Sequence, residues 1–472
     1  MKIVVFGAGE FYQKRKERLL GYSDIEQVAI IDNNKSIQGT FLNGLPILAV
    51  EQIEKIDFDV ILLMSAKASE MKKQLFDLGV DLKKVWYWER LKGEKERGNF
   101  CFYCGNLNYL LTAKRVLIIS TVLGYNGGTL AAVYAARALE KRQYNVVLAA
   151  PEGNPVFIDE MKSKGLNIMI CSALPYLFQE ENAYIKQFDF VIVNVLQMIL
   201  CASQISYIKP TLWWLHEPSL YYESILDQFN EYAMDEKLKK VSIYAVSRIA
   251  KENFNHYFPN QLTKILTYGI PDERSLTLEK VKNDKIVFAI VGAISPIKAQ
   301  DMFLKAISKI EPELKKNASF LIIGLIGHSA FSNKVRKMAF QESTVVLMGE
   351  MTRDKLKKIY QDIDVFVCAS LEETMSITTT EAMMHGKVCI VSDATGISDY
   401  ICDGINGFVF KSGEVSELIE KMNWVFNNRD KLLQIGKNAR QTYEKYFGMD
   451  CFGEKLEKAL LQAENLSNSS NE

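Results

Sequence analysis

Two glutamates beside a helix start form the pattern best suited to ligand chemistry in this chain of 472 residues. Glu373 lies in a loop after an apolar strand, and Glu381 lies inside the helix expected to begin near Ser376. A helix N-terminus offers free N–H groups and a positive dipole end, which suit a phosphate. The loop carboxylate can accept hydrogen bonds from sugar hydroxyls, and the helical carboxylate can hold a ribose diol. The segment therefore offers groups that could hold a phosphate and sugar hydroxyls.

The spacing of the two glutamates would also fit two solvated helix residues, but it lies inside a longer pattern. This pattern resembles the donor-binding motif of the retaining GT-B glycosyltransferases of family four. The matching residues are Ser370, Glu373, 381–386, 396–401 and 403–407. Thr374, Met375 and Ser376 stand where the family often has Gly-Phe-Gly, and Asp399 stands where glutamate is commoner. The resemblance covers roughly residues 116–462 and implies two Rossmann-like lobes.

The segment that ends at Lys298 resembles another motif of the same family. The resemblance implies that Lys298 pairs with the donor diphosphate, where a cation stabilises the leaving group. Gly292 and Ser295 are expected to bind the donor in the same loop. Ala293 replaces an arginine that the family often has, so another group must supply that charge, and Arg248 is a candidate.

Three further segments match the family at positions near the expected crevice. Gly127 and Gly128 follow a strand and precede a helix, which lets the backbone approach a ligand closely. His216 ends an apolar strand where many relatives keep an active-site histidine, and it would contact the donor sugar or adjust the charge of the site. Glu350 and Met351 resemble a turn that contacts the base through the backbone, although an ordinary turn fits equally well.

The resemblance implies retaining transfer of a sugar from a nucleotide diphosphate donor, with a UDP-sugar expected. The acceptor would be a glycan, a lipid-linked sugar or a glycoconjugate in bacterial polysaccharide biosynthesis. The catalytic residues would be His216, Glu373 and Lys298, and they would act through positioning and charge stabilisation. No cofactor or metal is expected, and the Asp362–Asp364 stretch before a strand is interpreted as structural.

The first residues carry a separate nucleotide-binding pattern. Gly7 and Gly9 form a turn after a strand, Asp32 ends the second strand where a ribose-contacting acid is expected, and Asn33 follows it. Tyr12 replaces the third glycine of the usual fingerprint. The unit resembles the small domain in front of PglD-type sugar acetyltransferases, which implies nucleotide or nucleotide-sugar binding. A structural module without ligand and a nicotinamide-binding unit remain open alternatives.

Strands and helices alternate along the whole chain, and the strands are near-continuous apolar runs such as Val116–Ser120. This pattern predicts an α/β fold with parallel sheets that are covered on both faces. The expected units are residues 1–92 as a small Rossmann-like domain, 93–113 as a linker, 114–280 as the acceptor-side lobe, 281–450 as the donor-binding lobe, and 451–472 as a C-terminal helix and frayed tail.

The composition indicates which kinds of partner and which cellular compartment to expect. Lys and Arg number 57, and Asp and Glu also number 57, so a nucleic-acid partner is not expected. The chain shows no signal peptide or membrane-spanning run, and its eight cysteines are too few for a disulfide scaffold. Cys101 and Cys104 form a single pair, which predicts packing rather than a zinc site. A cytoplasmic protein is expected, with peripheral membrane contact possible because many relatives use lipid-linked acceptors.

Two other functions compete with sugar transfer. An NAD(P)-dependent oxidoreductase that modifies sugars would be governed by the first unit. A non-catalytic scaffold that binds nucleotide-sugars would explain Ala293 and the altered Gly-Phe-Gly. The retained Glu373, Glu381, Lys298 and His216 favour the transferase.

Overall fold

Three mainly parallel β-sheets follow one another along the chain in the computed structural model. The structure describes residues 1–65, 67–106, 110, 112–177, 179–229, 235–274 and 285–469. The central strands of each sheet are fully buried, as expected for apolar strands with helices on both faces. These sheets confirm the predicted α/β fold.

The first sheet has the strand order β3-β4-β2-β1-β5-β6. Its strands are β1 (Lys2–Phe6), β2 (Glu26–Ile31), β3 (Phe41–Leu42), β4 (Leu45–Leu48), β5 (Val60–Leu63) and β6 (Val85–Tyr87). Its helices are α1 (Glu10–Gln13), α2 (Lys16–Leu20), α3 (Ala68–Asp77) and α4 (Trp88–Glu96). We call this part the first unit.

The second sheet has the order β14-β13-β12-β11-β8-β9-β10-β7. We call the part of the chain built on it the acceptor-side lobe, after the role predicted from the sequence. Its strands are β7 (Phe100–Tyr103), β8 (Arg115–Ile119), β9 (Asn145–Ala150), β10 (Asn167–Cys171), β11 (Phe190–Asn194), β12 (Thr211–Leu215), β13 (Val241–Ala245) and β14 (Thr263–Ile265). Its helices are α5 (Gly127–Lys141), α6 (Pro155–Ser163), α7 (Gln179–Ile185), α8 (Ile199–Ile205), α9 (Tyr222–Gln228) and α10 (Arg248–Tyr257). Only β7 runs antiparallel to its neighbour.

The third sheet has the order β17-β16-β15-β18-β19-β20. We call the part of the chain built on it the donor-side lobe, after the role predicted from the sequence. Its strands are β15 (Ile286–Val291), β16 (Ala318–Ile323), β17 (Val345–Gly349), β18 (Val365–Cys368), β19 (Val388–Ser392) and β20 (Phe408–Phe410). Its helices are α11 (Gln300–Lys309), α12 (Pro312–Lys316), α13 (Ala330–Phe340), α14 (Arg353–Asp362), α15 (Ile377–Met384), α16 (Val415–Asn427) and α17 (Leu432–Tyr446). All its strand pairs are parallel, so their carboxyl ends share one edge.

The last helix, α18 (Met449–Ser469), follows the donor-side lobe but packs on the acceptor-side lobe. Phe452 stacks on Trp214 of β12 with ring centres 5.7 Å apart, and Arg142 at the end of α5 pairs with Glu457. The end of the chain therefore crosses back and ties the two lobes together.

The predicted linker contributes to the second sheet. Its strand β7 pairs with β10, from Tyr103 opposite Ile168 to Phe100 opposite Cys171. The first unit contacts the acceptor-side lobe directly, because Lys72 Nζ donates to the carbonyl of Asp227 over 2.8 Å. The first unit and the acceptor-side lobe are therefore in direct contact rather than separated by an extended linker.

Candidate active site

The loop after β15 is organised by a buried glutamine. Ser295 precedes the short turn that carries Lys298, and its backbone N–H donates to Gln300 Oε1 over 3.3 Å. Gln300 is 1% exposed and donates Nε2 to the carbonyls of Gly292 (3.3 Å) and Ala293 (3.0 Å). Because these bonds fix the backbone, Gln300 holds the loop in one shape. Nothing in the sequence marks Gln300 for this role, since a glutamine at a helix start usually faces solvent.

Lys298 and Glu373 form an ion pair on the floor of this site. Glu373 also accepts a hydrogen bond from Ser370 Oγ over 3.2 Å, and its backbone N–H donates to the carbonyl of Ala394. Burial works to lower the pKa of Lys298, but the Glu373 carboxylate outweighs it and the pKa is raised. The structure thus brings together two of the three predicted catalytic residues, as a charged pair beside the carboxyl ends of β15 and β18.

The start of α15 lies next to this pair. Ser376 caps the helix through its Oγ, which accepts from the N–H of Thr379 over 3.2 Å. Thr374 and Met375 are buried in the loop before it. Thr374 Oγ1 donates to the backbone carbonyl of His216 over 2.6 Å, so the loop is bonded across the crevice to the acceptor-side lobe.

His216 lies at the end of β12, opposite the donor-side loop. Its ring packs edge-on against Trp214 with centres 4.5 Å apart, and its Nε2 is buried with no partner within the described residues. Burial lowers the pKa of His216 to about 3. Glu217 accepts from the backbone N–H groups of Leu196 and His216, yet burial raises its pKa to about 7. The imidazole is therefore a neutral group at physiological pH, available for hydrogen bonding to a ligand.

We expect His216 to show no ring protonation between pH 5 and 8. Burial favours the neutral form, so the folded state binds this proton only near pH 3, while the unfolded chain binds it near pH 6.5. Stability from this group is consequently lost as pH falls below about 6.5, by up to about 1.4 kcal/mol per pH unit. An NMR titration of the four histidines, with His216→Asn to assign the signal, measures this directly. A midpoint near 6.5 for His216 would contradict the assignment.

Glu381 is held by two side chains that sequence analysis did not name. Arg353 Nη2 lies 2.9 Å from Oε1, and Tyr360 donates its hydroxyl to Oε2 over 3.0 Å. Burial raises the pKa of Glu381 although both partners favour its charged form. Arg353 also lies 3.4 Å from Glu273, in the segment between the lobes. Nothing in the spacing marks Arg353, which lies 28 positions before Glu381.

The glycine loop of the acceptor-side lobe faces the start of α15. A Cβ built on Gly127 would lie 3.9 Å from Ile377 Cδ1, and one on Gly128 would lie 3.2 Å from Val195 Cγ1. Val195 itself has φ +76°, which is strained for a β-branched residue. The Asn194 amide donates to the carbonyl of Gly128 over 3.0 Å. Backbone strain of this kind clusters at functional sites.

Glu350 and Met351 follow β17 in the turn before α14. The turn begins at Gly349, whose φ of +69° favours glycine. Gly324 donates its N–H to the Gly349 carbonyl over 2.9 Å, which ties this turn to the neighbouring strand end. The turn precedes Arg353 directly, so it borders the Glu381 cluster.

Two polar clusters join the lobes beside the crevice. Glu372 accepts from the backbone N–H of Ser219 over 2.6 Å and from Asn253 Nδ2 over 2.8 Å. Arg248, the candidate for the missing cation, pairs instead with Asp399 at 3.0 Å and with Glu252 at 3.0 Å. Both acids neutralise Arg248, so it acts here as a contact between the lobes.

Replacing Gly396 with alanine is expected to open this contact. The added methyl group would meet the Thr374 carbonyl and lie 2.6 Å from Ser247 Cβ, so backbone must move. Overpacking of this kind costs about 1–3 kcal/mol or more. Thermal unfolding measures the loss, and Gly327→Ala is the matched control because its nearest neighbour, Ser332 Oγ, is 3.8 Å away. Equal melting temperatures in the two variants would contradict the prediction.

Asp32 and Asn33, two of the residues predicted to bind a nucleotide in the first unit, are hydrogen-bonded to other residues of that unit. Asp32 accepts from the backbone N–H groups of Ala8 (2.7 Å) and Asn34 (2.8 Å). Asn33 exchanges two hydrogen bonds with Gln74, at 2.9 and 3.0 Å. The ribose-contacting acid of the prediction therefore closes the glycine turn in this structure.

Gly7 and Gly9 shape that turn. Gly7 has φ +109°, and a Cβ there would lie 2.9 Å from the carbonyl oxygen of Met64. Gly9 precedes α1, which is only four residues long. A helix this short has only a weak dipole with which to attract a phosphate.

The described residues contain no cluster of three or more acidic, histidine or cysteine side chains that could hold a metal ion. Asp364 accepts from the backbone N–H of Val287 over 3.0 Å and so joins β18 to β15. All eight cysteines are free, and Cys101 and Cys104 are both exposed. In the part of the chain that the structure describes, no helix combines the length and apolarity needed to cross a bilayer.

Comparison with known proteins shows the fold and a family to which part of the chain is similar. The structure of HepE from Anabaena in complex with UDP-glucose superposes with a TM-score of 0.60 at 16% identity, covering 74% of this chain and 99% of that chain. Residues 275–442 match the family described as "Glycosyl transferases group 1". The two larger lobes thus form a GT-B fold preceded by an extra domain, and residues 275–442 are similar to the group 1 glycosyl transferases.

Two curated relatives support this assignment. Sulfoquinovosyl transferase SQD2 of Arabidopsis thaliana is 30% identical over 202 residues, which are 42% of this chain and 36% of that protein. The capsular polysaccharide biosynthesis glycosyltransferase CapM of Staphylococcus aureus is 24% identical over 239 residues, which are 48% of this chain and 59% of that protein. The chain therefore spans a third to about three fifths of the length of these relatives.

The first unit matches a different family from the one its sequence resembles. Residues 1–86 match the family described as "C2185-like, N-terminal". The resemblance to the PglD-type domain is therefore not confirmed, and with it the nucleotide expected in this unit lacks support.

Proposed function

We propose that this protein is a glycosyltransferase that moves a sugar from a UDP-sugar to a hydroxyl acceptor with retention of configuration. The observation that carries the proposal is the Lys298–Glu373 pair, placed beside a capped helix start and opposite His216 across the crevice. The relatives supply the class, because their names describe sugar transferases and HepE binds UDP-glucose.

The residues divide the chemistry between them. Lys298 would neutralise the diphosphate as it leaves, and the start of α15 would add its free N–H groups. Glu373 would accept hydrogen bonds from the sugar hydroxyls, and Glu381 would hold the ribose. His216, neutral at physiological pH, would contact the sugar rather than remove a proton. The acceptor proton would pass to a diphosphate oxygen on the same face, so no separate base is required.

The acceptor is proposed to be a glycan, a lipid-linked sugar or a glycoconjugate in bacterial polysaccharide assembly. CapM is named for such a pathway, and this supports the proposal. We propose a cytoplasmic enzyme, with peripheral membrane contact where the acceptor is lipid-linked, and with no need for a metal ion.

A direct test measures UDP released from a panel of UDP-sugars, with and without EDTA. We expect the protein to bind UDP. We also expect it to hydrolyse the UDP-sugar slowly when no acceptor is present, at a rate that EDTA does not change. The anomeric configuration of the first product, followed by NMR, tests retention. Absence of UDP binding by calorimetry, or activity that EDTA abolishes, would overturn the corresponding part of the proposal.

A further inference from the structure

A cavity of about 360 Å³ lies where the first unit meets the acceptor-side lobe. Its wall includes Arg18 from α2, Tyr103 from β7, and residues that follow β9 and β10, among them Glu152 and Ser172. It shares no lining residue with the smaller cavity around Lys298 and Glu373. The cavity therefore belongs to a different part of the molecule from the transfer centre.

The position of this cavity follows from the strand order. Strands β12, β11, β8, β9 and β10 are consecutive neighbours and parallel, so the residues after them line one edge of the sheet. His216 follows β12, the Gly127 loop follows β8, and the cavity follows β9 and β10. Since neighbouring strands lie about 4.8 Å apart, the cavity lies one to two strands, about 5–10 Å, from the glycine loop along this edge.

The loops along this edge are bonded into a continuous surface. Leu123 donates its N–H to the carbonyl of Glu152 over 3.0 Å, and Asn154 donates to the carbonyl of Leu123 over 2.8 Å. Tyr125 lies on the same loop, 63% exposed, and packs edge-on against Phe157. An exposed aromatic ring thus stands between the crevice and the cavity, where it can pack against the apolar face of a sugar.

The charges of the wall favour an uncharged, hydroxyl-rich ligand. The Arg18 guanidinium is neutralised by Glu96 through two hydrogen bonds and donates a third to Ser172 over 3.2 Å. Glu152 and Asp159 add two exposed carboxylates, which accept hydrogen bonds from hydroxyls. Glu152 is paired with Lys92 of the first unit, so the repulsion of anions rests on Asp159. A phosphorylated or uronate-bearing ligand would meet this repulsion, whereas a neutral saccharide would not.

The first unit contributes the Arg18 side chain to this wall and supports a second part of it from behind. Lys92 of α4 is 2% exposed, and its Nζ lies 3.5 Å from Glu152, so a buried cation of the first unit holds the loop after β9. Arg18 reaches Ser172 at the end of β10 in the same way. Without the first unit, the cavity would lose one side and both of these contacts.

We propose that this cavity binds neutral sugar units of the acceptor that lie beyond the sugar being modified, and that the first unit is an acceptor-recognition domain. The proposal rests on the proposed transferase function for the identity of the ligand as acceptor. It assigns a role to the first unit that requires no nucleotide in its glycine turn.

The test uses the full chain and two variants of the wall, Asp159→Arg and Tyr103→Ala. The control is Asp430→Arg, which makes the same charge change in an exposed turn of the donor-side lobe. Each protein is applied to an array of neutral oligosaccharides of two to six units and of uronate-bearing or phosphorylated counterparts. UDP binding and UDP release from UDP-glucose are measured on the same preparations.

We expect the parent protein and the control to retain neutral oligosaccharides, and both wall variants to bind them at least tenfold more weakly with UDP binding unchanged. Three results would each overturn the proposal. The parent protein could bind only anionic glycans, it could bind no glycan at all, or both wall variants could bind neutral oligosaccharides as well as the parent does. If the parent protein did not bind UDP, the proposed transferase function would be refuted instead. The UDP measurements test that function separately from the glycan array.

Discussion

Replacement of Lys298 by alanine is expected to lower kcat for sugar transfer by about 10²–10³-fold, the range found when one charge-stabilising group is removed from a preorganised site. Lys298 is the charged partner of Glu373 in the crevice, and Ala293 leaves it without the neighbouring cation that relatives often have. Negative charge that develops on the leaving diphosphate would then lack its principal counter-charge.

A comparison of two variants shows whether Lys298 acts through its charge or through its hydrogen bond. Lys298→Gln keeps a donor for Glu373 but removes the charge, so we expect it to lose nearly as much activity as the alanine variant. Lys305→Ala is the matched control, because this lysine of α11 is half exposed and pairs only loosely with Asp301 at 3.5 Å. A glutamine variant within threefold of the parent kcat would show that Lys298 does not act through its charge.

The apolar runs of the sequence were sufficient to predict the layered α/β fold. The strand expected at Val116–Ser120 is found at Arg115–Ile119, because its side chains are buried on both faces as such a run requires. The short strand β7 was not predicted, since Phe100–Tyr103 follows a charged, glycine-bearing stretch typical of a loop. Its pairing with β10 depends on a partner more than 60 residues away, which local pattern does not contain.

The candidate site likewise has residues that the sequence predicts and contacts that it does not. Glu373, Lys298 and His216 were predicted individually, each from its own local motif, and the fold places them around one crevice. The hydrogen bond between Thr374 and the carbonyl of His216 crosses 158 positions in the chain, so only the folded structure reveals it. Arg353 was missed for the same reason, because its role depends on the packing of α14 against α15.

Glu381→Gln is expected to weaken UDP binding by about 10–100-fold. Each oxygen of this carboxylate is already fixed by one partner, Arg353 or Tyr360, and each retains a second lone pair for a ribose hydroxyl. A hydrogen bond to a charged group contributes about 1.5–3 kcal/mol, which corresponds to that range of affinity. Glutamine preserves an acceptor for Tyr360, so the fold is disturbed less than by alanine, which would leave Arg353 and Tyr360 both without a partner.

A comparison of UDP with 2′-deoxy-UDP distinguishes ribose binding from a structural role. If Glu381 holds the ribose diol, the parent protein prefers UDP by at least tenfold, and Glu381→Gln reduces this preference toward one. If Glu381 had a purely structural role, its replacement would weaken the binding of both nucleotides equally. The ratio of the two affinities would then stay unchanged, which would refute the assignment. Glu444→Gln is the matched control, because it also breaks a glutamate–arginine pair, with Arg440 on α17, at an exposed position outside the crevice. Only the Glu381 variant should therefore alter the discrimination at the 2′ position.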